Sequence, residues 1–350
     1  MKAAPFAYVR PATVDDVLAE LGSGEDAKVL AGGQSLVPVL AMRLARPGTL
    51  IDINAVAGLD TVADSDDALR VGATVRQRHI EHLEPARGVP LLGMALPWVG
   101  HRELRSRGTV CGSLAHADPA AELPAVATCL NASLEVAGPH DRRTVAAREF
   151  FTAAMTTQVG ADELLTSVSF PKARRGEGFG FGEVARRHGD FALAGVVVRV
   201  ATSDSASPTA EITCFGIDDT PVWRDISEPL RAALAQVGDD APERELNRAL
   251  TAGARSLAED VVNTGGDAHG STDYRRRLIT ALGARELARA FGRLNAPHDW
   301  RPFDDTHPSD NTPGTCQGRS GRQGRGVDDG ERHTDPTRGS RPIDPRGRVT

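Results

Sequence analysis

The sequence predicts an α+β chain of two domains, and three observations carry that reading. Strand-like and helix-like hydrophobic patterns alternate from the N-terminus to Phe170. A Pro/Gly/Arg-rich joint, Pro171 to Gly180 (PKARRGEGFG), interrupts them. Beyond the joint, strand-like runs come before helical stretches, the order of a sheet covered by helices.

Thr13 is the expected N-cap of a helix over Val14 to Leu21. Lys28 to Ala31 reads as a short buried strand ending at Gly32-Gly33, and Leu36 to Leu44 as a helix with Ser35 near its start. Thr49 to Ile53 and Ala68 to Val75 read as strands, and Arg76 to Leu83 and Pro90 to Leu104 as helical patterns. Gly108 to Pro124 (GTVCGSLAHADPAAELP) is the densest stretch without periodicity. Ala120 to Leu130 reads as a helix, and Leu134 to Ala137 and Leu164 to Phe170 as strands. After the joint, Phe181 to Arg187, Leu193 to Ala201 and Ala210 to Ile217 predict three strands, with turns at Gly189-Asp190 and Ser203 to Pro208. Helices are expected at Glu228 to Gln236, Pro242 to Asp260 and Tyr274 to Leu294. The last places Leu278, Leu282, Leu287 and Phe291 near one face.

From Ala296 to Thr350 the composition turns to Gly, Pro, Arg, Asp, Ser and Thr. Such a segment does not offset the entropy of ordering itself, so a disordered tail is expected. A linker, a docking tail and weakly constrained coding sequence all fit it.

The 350 residues are 40% hydrophobic, enough for two modest cores. A net charge of -6 argues against nucleic acid as a partner. No apolar run reaches the roughly 20 residues that span a bilayer, so no integral membrane segment is expected. Met1 to Arg10 lacks the apolar run of a signal peptide, and the cytoplasm is the expected location. Cys111, Cys129, Cys214 and Cys316 show no CxxC spacing, which argues against a disulfide framework. Cys316 lies in the tail, which argues against a cluster held by four thiolates.

Two motifs carry chemistry. Ala31-Gly32-Gly33-Gln34-Ser35-Leu36 follows directly on a strand. A diphosphate needs backbone N–H groups at close range, which paired glycines allow because no Cβ obstructs the approach. Ser35 adds a hydroxyl, and the following helix start adds unpaired N–H groups. Read alone, a strand–Gly–Gly–helix turn is more often a tight connection. The second motif runs from Thr109 to Glu122, with small or hydroxyl residues at Thr109, Gly112 and Ser113. Asp118 and Glu122 are acceptors suited to ribose hydroxyls or a flavin N–H. Equally, Asp118-Pro119 suits an ordinary helix start with Asp as N-cap and Pro at N1, and Glu122 a residue of its first turn.

Together the motifs resemble one family. AGGQSLVPVL and GTVCGSLAHADPAAELPA are similar to the two FAD-binding loops in flavoprotein (medium) subunits of molybdenum hydroxylases. That family includes carbon monoxide, nicotine and caffeine dehydrogenases and the central portion of xanthine dehydrogenase. The resemblance continues in Asp162 to Pro171, Val184 to Leu193, Gly216 to Pro221 and Ser271 to Arg277, and covers roughly Pro5 to Leu294.

The resemblance implies a two-part FAD-binding domain of the vanillyl-alcohol-oxidase/PCMH type at 1–175, with subdomains at about 1–57 and 58–175. A carbon monoxide dehydrogenase flavoprotein C-terminal-like domain, a three-stranded antiparallel sheet with a helical bundle, would occupy 176–295, leaving 296–350 as tail. It also implies an electron relay. Electrons would come from [2Fe–2S] clusters on a small subunit and pass through FAD to NAD, a quinone, oxygen or another acceptor. Hydroxylation would occur at molybdopterin on a large subunit, in a dimer of heterotrimers. No catalytic side chain and no metal on this chain are expected.

Carried over by residue, Ala31 to Leu36 would wrap the diphosphate, and Thr109, Cys111, Gly112 and Ser113 would form the second wall. Glu122 matches an acidic position that contacts FAD in relatives. Leu165 or Thr166 would sit near the adenine or the flavin ring. Glu183 lies near a position where some relatives carry a lysine, and Val71 and Thr74 are further cofactor-facing candidates. Many relatives have two glycines where this chain has Cys111-Gly112, so Cys111 either touches the flavin or, the favoured reading, packs.

Other signals point elsewhere. Gly178-Phe-Gly-Phe-Gly182 lacks the third glycine of a dinucleotide fingerprint and precedes a strand. His79 and His82 sit three apart on a helix with no third metal ligand in view. His188-Gly-Asp190 reads as a turn and Arg275-Arg-Arg277 as a helix surface. A stand-alone flavin oxidoreductase and a non-redox nucleotide-binding module are the rival readings.

Overall fold

Thr13 opens the first helix as its sequence predicts: its Oγ1 accepts the Asp16 amide at 3.1 Å. The computed structural model describes residues 2–23, 26–203 and 206–294. The expected tail at 296–350 lies outside them. The chain begins β1 (Ala7–Val9), α1 (Val14–Ser23), β2 (Ala27–Leu30), α2 (Leu36–Ala41) and β3 (Thr49–Asp52). Its strands form a parallel sheet in the order β1-β3-β2. β2, read as buried, is only half-buried because it is an edge strand.

A five-stranded antiparallel sheet follows in the order β4-β5-β10-β6-β7. Its strands are β4 (Val62–Asp64), β5 (Ala68–Gly72), β6 (Ser133–Ala137), β7 (Arg142–Ala146) and β10 (Leu164–Pro171). Between β5 and β6 come α3 (Gln77–His82), α4 (Pro90–Ala95), α5 (Arg102–Arg107), α6 (Val110–His116) and α7 (Glu122–Leu130). Between β7 and β10 lie α8 (Ala147–Phe150) and the small hairpin β8 (Phe151–Ala153) and β9 (Thr156–Thr157). The helical pattern over Pro90 to Leu104 is broken in two. Pro97 sits in a 3₁₀ turn, and Gly100 takes φ +52°. The aperiodic stretch from Gly108 forms α6 and the start of α7, too short for a hydrophobic period to register.

The last part is β11 (Glu177–Ala185), β12 (Ala192–Ser203), β13 (Ala206–Phe215), β14 (Val222–Asp225), α9 (Ser227–Val237), α10 (Glu243–Val261) and α11 (Thr272–Gly292). The three antiparallel strands read from the sequence are joined by a fourth, β14, at the edge. Both faces of this sheet are buried. Val196, Val198 and Val200 pack with α9, α10 and α11 in one core. Phe179, Val197 and Phe215 join the core of the N-terminal part.

α11 departs from a one-faced helix. Ile279, Leu282 and Leu287 are buried along with Ala284, Ala288 and Ala290, while Leu278 and Phe291 are only partly covered. The sheet and α10 hold it from two sides. Arg275 is not surface but buried, with its Nη1 donating to the Leu193 and Gly216 carbonyls and its Nη2 to Asp267 at 2.7 Å. Gly178, Gly180 and Gly182 form the stripe under this helix. A Cβ on Gly178 would lie 2.0 Å from the Ala290 carbonyl oxygen, and one on Gly180 2.6 Å from that of Glu286.

Gly180→Val therefore has no relaxed solution, since the obstacle is helix backbone. We expect chemical denaturation of the full chain to show a loss of about 3 kcal/mol or more. The open-space control Gly22→Ala should stay within about 1 kcal/mol of the parent.

Candidate functional site

The two glycine motifs, 73 residues or more apart in sequence (Leu36 to Thr109), meet. Gly32 packs against the second motif so closely that a Cβ would fall 2.4 Å from the Arg107 carbonyl oxygen and 2.8 Å from the Gly108 Cα. Gly33 turns the loop with φ +74°, a backbone that side chains rarely adopt. Gln34 Nε2 donates to the Gly32 carbonyl at 3.3 Å, Ser35 is exposed at the N-cap of α2 without a capping bond, and Leu36 is partly buried.

Residues that sequence reasoning missed clamp the two loops. Arg76 donates to the Arg107 carbonyl at 2.7 Å and to Asn54 Oδ1 at 2.6 Å. Asn54 donates in turn to the Ala31 carbonyl at 2.9 Å. Asp52 accepts from the Asn54 amide at 2.9 Å and from the Tyr8 hydroxyl at 2.5 Å, fixing that side chain. Gln77 steadies the second loop by donating its amide to the Gly108 carbonyl at 2.9 Å and its Nε2 to that of Thr109 at 3.3 Å. The Asp52-x-Asn54 pair at a strand end was the available signal, and it is shared by many turns.

Thr109 is buried as the N-cap of α6, its Oγ1 accepting the Gly112 amide at 2.9 Å. Gly112 and Ser113 sit partly buried in that helix. Cys111 lies beneath, its Sγ 3.6 Å from the Val71 carbonyl oxygen, and burial pushes its thiol up to about 12. Val71, Thr74, Leu165 and Thr166 are all buried around the β5–β10 pairing, where the Thr166 carbonyl accepts the Ala73 amide at 2.9 Å. Thr166 Oγ1 donates to the Glu135 carbonyl at 3.0 Å.

Asp118 does not cap α7. Its Oδ1 accepts the Ala120 amide at 2.9 Å in a turn, and the helix starts later, with Ala121 as N-cap and Glu122 in its first turn. Glu122 and Glu183 are both buried, and neither oxygen of Glu183 has a hydrogen-bond partner among the described residues. Burial pushes the Glu183 carboxyl up to about 9, with the charge of Glu122 adding to it. Burial likewise raises Glu122 to about 7, opposed by helix backbone N–H and, more weakly, by Arg105. Arg105 is itself buried, holding Glu81 through Nε and Nη2 at 3.1 Å each. Trp98, Phe181 and Phe215 line up on the same side of the sheet, with Trp98–Phe181 ring centroids 6.4 Å apart and Phe181–Phe215 6.1 Å. His188 joins them at 5.6 Å from the Trp98 ring, in a turn where Gly189 takes φ +84°.

Residues 4–173 match the family model for the FAD binding domain in molybdopterin dehydrogenase, and residues 180–290 that for the CO dehydrogenase flavoprotein C-terminal domain. The nicotine 6-hydroxylase medium subunit of Paenarthrobacter nicotinovorans is 37% identical over 84% of this chain and 100% of its own length. The chain belongs to the family of FAD-binding medium subunits of molybdenum hydroxylases. The carbon monoxide dehydrogenase medium chain of Afipia carboxidovorans, another member, is 30% identical over 82% of this chain and 97% of its own length. Among solved structures, quinoline 2-oxidoreductase from Pseudomonas putida 86 superposes with a TM-score of 0.74 at 32% identity, covering 84% of this chain and 99% of that one. Carbon monoxide dehydrogenase from Hydrogenophaga pseudoflava gives a TM-score of 0.73 at 28% identity, with the same coverage. This flavoprotein subunit is thus an oxidoreductase component, and no described helix is long and apolar enough to cross a membrane.

The buried carboxyls set a pH dependence for the subunit. A carboxyl whose folded value lies above its ordinary 4.5 contributes stability that is full below that value and is lost as pH rises through the folded one. The Tm of the FAD-free full chain should therefore fall as pH climbs from about 5 to about 9. Glu183→Gln should flatten the upper part of that fall, and an unchanged slope in the variant would count against a buried, unpaired carboxyl.

Proposed function

We propose that this subunit holds FAD where its two glycine loops meet and relays electrons through it. The electrons come from [2Fe–2S] clusters of a small partner subunit and leave to an external acceptor. A large molybdopterin subunit carries out the hydroxylation. The observation that carries the proposal is the contact of Gly32 with the Arg107–Gly108 backbone, which makes one site of two distant motifs. The domain limits proposed are 1–175 for the FAD-binding part, divided near residue 57, and 176–295 for the C-terminal part. A dimer of heterotrimers in the cytoplasm completes the reading. The names of the relatives support the multi-subunit part of it: a medium subunit of a hydroxylase, a medium chain of a dehydrogenase and a subunit of a dehydrogenase complex.

The residues present suit a dinucleotide. Gly32 and Gly33 keep the turn of the first loop free of Cβ atoms, and Glu183 offers a buried carboxyl whose oxygens have no hydrogen-bond partner among the described residues. Ala31 to Leu36, with Gly112 and Ser113 opposite, would hold the diphosphate and ribityl portion through backbone N–H groups. Thr109 spends its hydroxyl on the Gly112 amide and so shapes the second loop. Glu122, Glu183 and Asp118 are the groups assigned to the polar edge of the ring. Val71, Thr74, Leu165 and Thr166 back the site, with Cys111 packed behind it. Flavin, when bound, exchanges electrons singly or in pairs, which suits a junction between iron–sulfur clusters and a two-electron acceptor. The protein's part is to hold, orient and shield it. A carboxyl that stays protonated at neutral pH can also donate a hydrogen bond toward it.

Gly33→Val is the direct test. The new side chain would require a disfavoured backbone and would start 3.1 Å from Leu30 Cδ1 and 3.2 Å from Val37 Cγ2. The purified full chain should lose its flavin absorbance, with FAD content falling by about tenfold or more. Flavin content equal to that of the parent would remove the assigned loop. A colourless parent that does not take up FAD would favour the non-redox module, and turnover without partner subunits the stand-alone enzyme.

A further inference from the structure

A second groove lies on the helical side of the C-terminal part, built from residues outside the glycine loops. It lies between α10 and α11 and encloses about 710 Å³. Three arginines line it from α10, Arg244, Arg248 and Arg255, and three from α11, Arg276, Arg277 and Arg285. Among the described residues a single acid, Glu259, lines it with them. Arg285 pairs at 2.7 Å with buried Glu286, which also holds Arg289 at 3.0 Å, and Arg276 reaches exposed Asp273 at 3.4 Å. Arg244, Arg248, Arg255 and Arg277 make no ion pair among the described residues, and the Nε of Arg276 is buried without a partner. This concentration of cations stands on a chain whose net charge is -6.

We propose that this groove docks an acidic segment of a partner subunit, an inference that rests on the multi-subunit reading above. Its chemistry is charge complementarity. Guanidinium groups accept carboxylates in paired, parallel hydrogen bonds and shed water more readily than ammonium groups, and the groove uses arginine throughout. Its length points to a polypeptide. From Arg244 to Arg255 the α10 row spans about 16 Å at the helical rise, longer than one phosphate group or carboxylate ligand. The small buried residues Ala258 and Ala284 line it beneath the arginines, leaving room for an extended strand or loop to lie between the two rows. The negative charge of the rest of the chain opposes nucleic acid, which would have to approach over a much larger footprint.

The test is assembly of the full, FAD-loaded chain with its co-expressed small and large subunits, followed by size-exclusion chromatography. Arg248 and Arg277 are on the outer helix surface, away from the flavin loops. Arg248→Glu combined with Arg277→Glu should keep flavin content and Tm but weaken association by about tenfold or more. The neutral pair Arg248→Gln and Arg277→Gln should weaken it less, and it carries the test if the reversal disturbs folding. Parent association should weaken with added salt, and a labelled oligoglutamate peptide should bind the parent chain and not the reversed variant. Variants that retain FAD and assemble as the parent does would overturn the proposal. So would retention of labelled duplex DNA by the parent, lost in the variants while assembly is intact. A parent that binds FAD but never assembles would sink the subunit reading as well as the groove.

Discussion

Backbone lying directly on backbone, at Gly32 over Arg107 and Gly108, is the constraint from which the site follows. No side chain fits between the two loops, so the small parallel sheet and the antiparallel sheet behind it meet in one relative position. The chain of polar groups from Ala31 through Asn54 and Arg76 to Arg107 then holds that position with hydrogen bonds of ordinary length. A half-exposed guanidinium serves well here. It donates in two directions at once, and both acceptors, a carbonyl and a side-chain amide, are fixed by their own elements.

The second organising feature is the C-terminal sheet, which has no solvent-facing side. One face supplies the helical core, and the other closes over α4 and α7. Glu183 projects from that second face toward the start of α7, where Glu122 already sits. Glu183 is taken out of water with no hydrogen-bond partner among the described residues, and the charge of Glu122 raises its proton affinity further. An arrangement of that kind costs folding free energy, and such costs concentrate at functional sites. Arg105, whose charge acts on Glu122, is already committed to Glu81 in a buried two-point pair.

Much of this was legible in the sequence, for identifiable reasons. The longer elements carried enough periods or caps to be read: α1 from Thr13, β10 from its apolar run, α10 and α11 from their length. Several short elements were lost, although β2, β3 and β6 were read. β1, β4, β7 and the β8–β9 hairpin offer two to five residues each, and α6 only seven, with Cys, Gly and Ser between its Val110 and Leu114. The glycine loops were found because their residue types are unusual in themselves. Asn54 and Arg76 were not, because their role exists only once two distant segments touch. Asp118 illustrates a local ambiguity: the same side chain can cap a helix or close a turn, and the intervening residues decided for the turn. Arg275 illustrates a tertiary one, a charge in a basic run that is drawn inside by two carbonyls and an aspartate.

The glycine stripe of β11 has a mechanical meaning. Where Gly178 and Gly180 face α11, helix and strand are separated by nothing that can change rotamer. Ordinary layers absorb small displacements by side-chain readjustment, and this seam has no such cushion. The helix that carries half of the arginine groove on its outer surface is therefore coupled stiffly to the strand that carries Glu183 on its far side. A shift of α11 of even a fraction of an ångström has to be passed on to β11 or resisted as a whole.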